Sequence, residues 1–205
     1  MAVRGLRYYC ALIPRYYLLG LPELLVDAAF RFLWPSELKM GIRLVDSARR
    51  ASSPSIAAVD AALGLIARID RVRFRRVQTE IRTIVNLPVV LGFCYERPLR
   101  LCSVDIAWLC EGGDPETTRK LLASVLVHEA TLGHLFSHGI LRNRWNYSRV
   151  ERLRCAEAKR FLQRAGMTHT PWDAIEEFTP VAWRLRWNLL REKLREWPFG
   201  SEREP

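Results

Sequence analysis

The chain has 205 residues, 49% of them hydrophobic, and carries a formal net charge of +10. That length and apolar content suffice to bury a core, which excludes a disordered chain and predicts one globular domain, 1–205, with a helical arm at either end. Five cysteines, an odd number without a CxxC pair, exclude a disulfide-stapled secreted scaffold and predict a reducing, cytoplasmic setting.

In chain order, residues 1–50 predict an amphipathic helical arm. Its start is basic, and the stretch from Tyr8 to Trp34 is rich in Leu, Tyr and Phe, but Arg15, Glu23, Asp27, Arg31, Pro14 and Pro22 interrupt it. A spanning helix needs about 20 nearly uninterrupted apolar residues, and a signal peptide needs a clean apolar centre and a cleavage site. The segment predicts a surface docked on the domain, with peripheral membrane contact as the alternative. Ser36 predicts the cap of a helix running to about Arg50. Ser53-Pro54 then restarts the chain as N-cap and first helical residue, with Ile56, Val59, Leu63 and Ile66 at helical spacing behind it.

Around Arg68, Arg71, Arg73, Arg75, Arg76 and Arg82, helical spacing puts Phe74, Val77, Ile81 and Ile84 on one face and leaves the arginines mostly on the solvated side. A basic surface of this kind predicts weak, salt-sensitive affinity for anionic partners, without a specific nucleic acid. After Asn86-Leu87-Pro88 the pattern changes. Val89 to Tyr95 and Leu99 to Val104 are short and rich in β-formers, so region 86–110 predicts a β-hairpin, extending toward Trp108. Cys94 and Cys102 fall near each other across it and are read as buried free thiols.

Asp114-Pro115 is a strong helix start, N-cap followed by proline at the first position, and Gly139 is a terminator. The helix between them, 114–139, carries His128-Glu129-Ala130-Thr131-Leu132. In the HExxH signature two histidines one turn apart hold zinc and the glutamate is general base for the attacking water. Here Leu132 stands where the second histidine belongs. His134 lies about 240° round the helix from His128 and is no repair. His134 and His138 form an i, i+4 pair of their own near the helix C-terminus, where positive charge is favoured.

A second helix, 146–166, carries Glu151, and eighteen residues separate it from Leu132. That gap matches the glutamate-zincin families, which include the thermolysin-like and aminopeptidase groups, in which the third ligand is a glutamate on the helix after the motif. The chain resembles a gluzincin with Leu132 replacing the second histidine. The wording Leu126-Val-His-Glu-Ala-Thr131, then Gly133-His-Leu135, is also similar to small bacterial metallopeptidase-like proteins whose site reads HEATH. The resemblance covers residues 120 to 165. It implies zinc as the metal, His128 and Glu151 as metal ligands, Glu129 as the catalytic general base and peptide or amide bonds as substrate. Cys155 follows Glu151 by one turn on the same face and is the candidate substitute ligand, the alternative being a buried cysteine that packs the helix pair. Glu157 points elsewhere, and His169 lies in a loop before Pro171.

Thr179-Pro180 starts a last helical region, 173–197, in which Trp183, Trp187, Leu190, Leu194 and Trp197 make a stripe that must be covered by the domain or by a partner. The fold expectation is an α+β domain, mostly helical, with a zincin-like core. The functional expectation is a zinc metallopeptidase-like protein with a degenerate site, a pseudoenzyme rather than an active hydrolase. The alternatives are a non-enzymatic binding or scaffold protein on the same framework, recognising a peptide or protein partner, and a weak anion, nucleic-acid or membrane-surface binder.

Overall fold

The computed structural model describes residues 34, 36–46, 54–86, 93–97, 99–106, 109, 114–140 and 146–168. Its first element corrects the sequence expectation. Strands β1 (Ser36–Lys39) and β2 (Ile42–Asp46) pair antiparallel where a helix from Ser36 to Arg50 is predicted. Met40 and Gly41 both take positive φ, 52° and 81°, the geometry of a two-residue hairpin turn whose twist matches its flanking strands. The chain therefore reverses at Met40-Gly41, and alternation takes over: Ile42 and Leu44 are buried and Arg43 between them is half-buried.

Helix α1 (Pro54–Ile69) begins at the predicted proline and buries Ile56, Val59, Leu63 and Ile66. Asp70 then breaks the chain for one residue and caps helix α2 (Arg71–Glu80), its carboxylate accepting from the Arg73 N–H at 3.1 Å. The helical pattern drawn through Ile84 is the second correction. Helix α2 stops at Glu80, Ile81 is extended, and Thr83–Asn86 forms strand β3, buried along its whole length. The β-branched Thr-Ile-Val run wins because it lies between two other strands.

Strands β4 (Phe93–Glu96) and β5 (Leu101–Val104) are the expected hairpin. β5 ends at Val104, Asp105 and Ile106 leave the strand, and the Leu109 N–H bonds to the Asp105 carbonyl, so the strand stops short of the predicted extension. The five strands form one mixed sheet in the order β1-β2-β3-β5-β4, with β2, β3 and β5 parallel at its centre. One face carries Ile42, Leu44, Ile84, Phe93, Tyr95, Cys102 and Val104 into the main core. The other gathers Val45, Val85 and Leu101 with Trp34 and Leu99. Cys94 pairs with Ser103 and Tyr95 with Cys102, so the two cysteines sit on opposite faces, and neither is in a disulfide.

Helix α3 (Pro115–Ser137) is the centre of the molecule. Asp114 caps it through the N–H groups of Glu116 and Thr117, and Gly139, at φ 78°, ends it, as the sequence predicts. Every residue from 121 to 133 is buried, because α1, α2, β4 and helix α4 (Tyr147–Arg164), the last of the described helices, all pack against this one. Together these elements make a mostly helical α+β fold. Among the described residues no helix is long and apolar enough to cross a membrane. The predicted N-terminal arm up to Leu33, together with Trp108, Cys110, His169 and the 173–197 region, lies outside the described residues.

Candidate metal centre

Helical spacing builds the site from two facing turns. On α3, His128 and Glu129 sit in the buried middle of the helix, each 2% exposed. On α4, the buried stripe runs Val150, Glu151, Arg154, Cys155, Ala158, Phe161 and Leu162, the i, i+3, i+4 pattern of a helix pressed on a neighbour. Glu151, Arg154 and Cys155 therefore project from one turn of α4 toward His128 and Glu129 on α3.

The atoms converge. His128 Nε2 lies 3.4 Å from Glu151 Oε1 and 3.9 Å from Cys155 Sγ, and all three ligand atoms lie within 4.8 Å of one another. In a tetrahedral zinc centre with bonds of about 2.0–2.3 Å, ligand atoms stand about 3.3–3.6 Å apart, so the His128–Glu151 pair already has that spacing and the set would fit the ion once Cys155 Sγ moves inward. The donor chemistry fits as well, since imidazole, carboxylate and thiolate together favour zinc over magnesium or calcium. Leu132 contributes none of this; it is buried with the main core.

The opposite side of the cluster is held by charge. His128 Nδ1 lies 2.8 Å from Glu129 Oε1. Arg154, 1% exposed, pairs through Nη2 with Glu129 Oε1 and through Nη1 with Glu151 Oε2 at 3.0 Å. Its Nε faces the His128 carbonyl oxygen at 3.4 Å, which ties α4 to the α3 backbone. Phe93 on β4 closes the imidazole edge-on, at 5.6 Å between ring centroids. Burial and Arg154 push the His128 pKa down, but Cys155, Glu129 and Glu151 outweigh them and raise it to about 10. Burial raises the Glu129 pKa, and the Arg154 guanidinium and His128 overcome this and hold it below the usual carboxylate range. Burial also lifts the Cys102 thiol well above its ordinary value, with Glu129 adding to the effect.

The structure thus brings together His128, Glu129, Glu151 and Cys155, and among the described residues it separates His134, His138 and Glu157 from them. His134 and His138 meet as tilted rings, 4.1 Å between centroids and 57° between planes, near the end of α3, where His134 faces Glu80. Glu157 turns away to Arg73, Arg76 and Arg160. The residue missed by sequence reasoning is Arg154. The one hint in the sequence is its helical phase, three after Glu151 and four before Ala158 on the stripe that α4 presses on α3, which its arginine-rich surroundings mask. Comparison with protein families, with curated proteins and with solved structures finds no match for this chain.

Proposed function

We propose that this protein is a zinc-binding, metallopeptidase-like domain that has exchanged hydrolysis for a buried metal centre. In this reading His128, Glu151 and Cys155 are the ligands, and Cys155 takes the role left open by Leu132. The observation that carries it is the convergence of Nε2, Oε1 and Sγ from two helices in a buried cluster. Bound zinc would supply a crosslink between α3 and α4, and in a hydrolase it would also polarise a carbonyl and activate water.

What argues against hydrolysis is the position of Glu129. A general base must be open to the water it deprotonates, and Glu129 is only 2% exposed. Glu129 instead pairs with Arg154 and with His128 Nδ1, the arrangement in which a carboxylate orients a metal-binding histidine. A specific observation also favours a metal-free scaffold as the second reading. His128 and Arg154 as cations balance Glu129 and Glu151 as anions, and hydrogen bonds link all four groups.

The test of inactivity is hydrolysis of a mixed peptide library by the zinc-reconstituted full chain. Wild type and Glu129→Gln are expected to be equally silent. Peptide cleavage by wild type that disappears in Glu129→Gln would overturn the pseudoenzyme reading.

A further inference from the structure

Among the described residues, three side-chain clusters lie outside the ligand set: the Asp70–Arg73–Arg164 cluster, the tilted His134–His138 pair and the Arg154 fork. The first two close on protein partners. The third bears on what the centre can hold. We propose that Arg154 is the positioning residue of the metal centre, fixing the ligands from behind so that their inner atoms converge on a small thiophilic divalent cation. This inference rests on the zinc-binding reading above.

Each of the two ligands other than cysteine has an inner and an outer heteroatom. The inner ones, His128 Nε2 and Glu151 Oε1, face each other and Cys155 Sγ. The outer ones are all engaged by one fork. Nη1 of Arg154 takes Glu151 Oε2 at 3.0 Å, and Nη2 takes Glu129 Oε1, which itself lies 2.8 Å from His128 Nδ1. Arg154 Nη2 also lies 3.2 Å from His128 Nδ1, but the Glu129 carboxylate it holds can only accept, so Glu129 selects the Nδ1–H tautomer that leaves Nε2 facing inward, while Nη1 sets the carboxylate rotation that aims Oε1 inward. A monodentate carboxylate suits tetrahedral zinc, whereas calcium requires about six to eight oxygens that this turn does not supply.

Position in the chain makes the device local. Glu151, Arg154 and Cys155 are i, i+3 and i+4 on α4, so ligand, clamp and ligand share one helical turn. Charge requires the clamp too. With zinc, a neutral His128, a carboxylate at Glu151 and a thiolate at Cys155, the ion and its ligands sum to zero, and Arg154 then cancels Glu129. Without Arg154, the buried Glu129 carboxylate would stand uncompensated beside the centre.

The experiment is competitive Zn2+ titration of the full-length protein against a chromophoric chelator, for wild type, Arg154→Lys and Arg154→Met, with Co2+ absorption spectra of each. Arg154→Lys keeps the charge and loses the two-pronged grip. It is expected to fold, to bind Zn2+ about 10-fold to 100-fold more weakly than wild type, and to shift the visible Co2+ bands as the carboxylate rotates. Arg154→Met is expected to bind more weakly still, or to unfold. Wild-type zinc affinity and an unchanged cobalt spectrum in Arg154→Lys would overturn the role of Arg154 while leaving the metal reading intact. A wild type that binds no Zn2+ would overturn the metal reading itself, and the positioning role with it.

Discussion

Replacing Gly133 by alanine tests how closely α2 and β4 approach the site helix. A glycine inside a helix costs about 1 kcal/mol relative to alanine, so on an open helix face this substitution stabilises. Here a Cβ on residue 133 would lie 2.8 Å from Tyr95 Oη, 2.9 Å from Tyr95 Cζ and 2.9 Å from Glu80 Cβ, all inside contact distance. Neither neighbour has room to retreat, because Tyr95 is 7% and Glu80 4% exposed and the Tyr95 hydroxyl donates to the Glu80 carbonyl at 3.0 Å. Overpacking costs about 1–3 kcal/mol. Loss of the hydroxyl bond adds about 1 kcal/mol. Set against the propensity gain of about 1 kcal/mol, the net expectation is destabilisation of about 2 kcal/mol, read as a lower midpoint in urea denaturation followed by circular dichroism. Adding Tyr95→Phe removes the closest atom but not Cζ or Glu80 Cβ, so it should recover only part of the loss. A neutral or stabilised Gly133→Ala protein would refute this packing and, with it, the placement of α3 against α2.

Further outcomes follow from other parts of the fold. Asp70→Ala should destabilise by about 2 kcal/mol, through loss of the α2 cap and of the buried partner of Arg73, measured in the same denaturation assay. Burial raises the Asp70 pKa, but Arg73 and Arg164 outweigh it and lower the value. Its contribution is therefore complete above the unfolded carboxylate pKa and is lost as pH falls through the lower folded one, and Asp70→Asn should flatten that acid limb. Burial and Glu80 raise the Tyr95 pKa to about 12. The folded state thus retains that proton longer than the unfolded chain, so stability should decline between about pH 10 and 12 and Tyr95→Phe should remove that part of the decline. Leu132→His in a Cys155→Ala background should recover Zn2+ binding lost in Cys155→Ala alone, because residue 132 lies one turn along from His128 and about 40° round the helix; titrations showing no recovery would refute the motif-based alignment of α3.

Much of the site was legible in the sequence because it is local. Asp114-Pro115 and Gly139 fixed the ends of α3, and four-residue spacing placed Cys155 beside Glu151 on α4. What escaped depended on tertiary partners. The Ser36 capping signal lost to the Met40-Gly41 turn, whose strand β1 is stabilised only by pairing with β2. Ile84 fitted a helical face as well as a strand, and its position between β2 and β5 decided the matter. Arg154 was hidden among neighbouring arginines such as Arg149 and Arg152, and only the packing of α4 on α3 buries its charge between two glutamates. Glu129 shows the same dependence, since a sequence motif names the residue but cannot say that a guanidinium from another helix engages its carboxylate.

The most direct test of the account is the zinc content of the full-length protein, purified without chelators or a metal-binding tag and measured by elemental analysis beside its Cys155→Ala variant. The account predicts one equivalent of zinc in wild type and loss of most of it in Cys155→Ala. A metal-free wild type, or a Cys155→Ala protein that keeps its full equivalent, would contradict it.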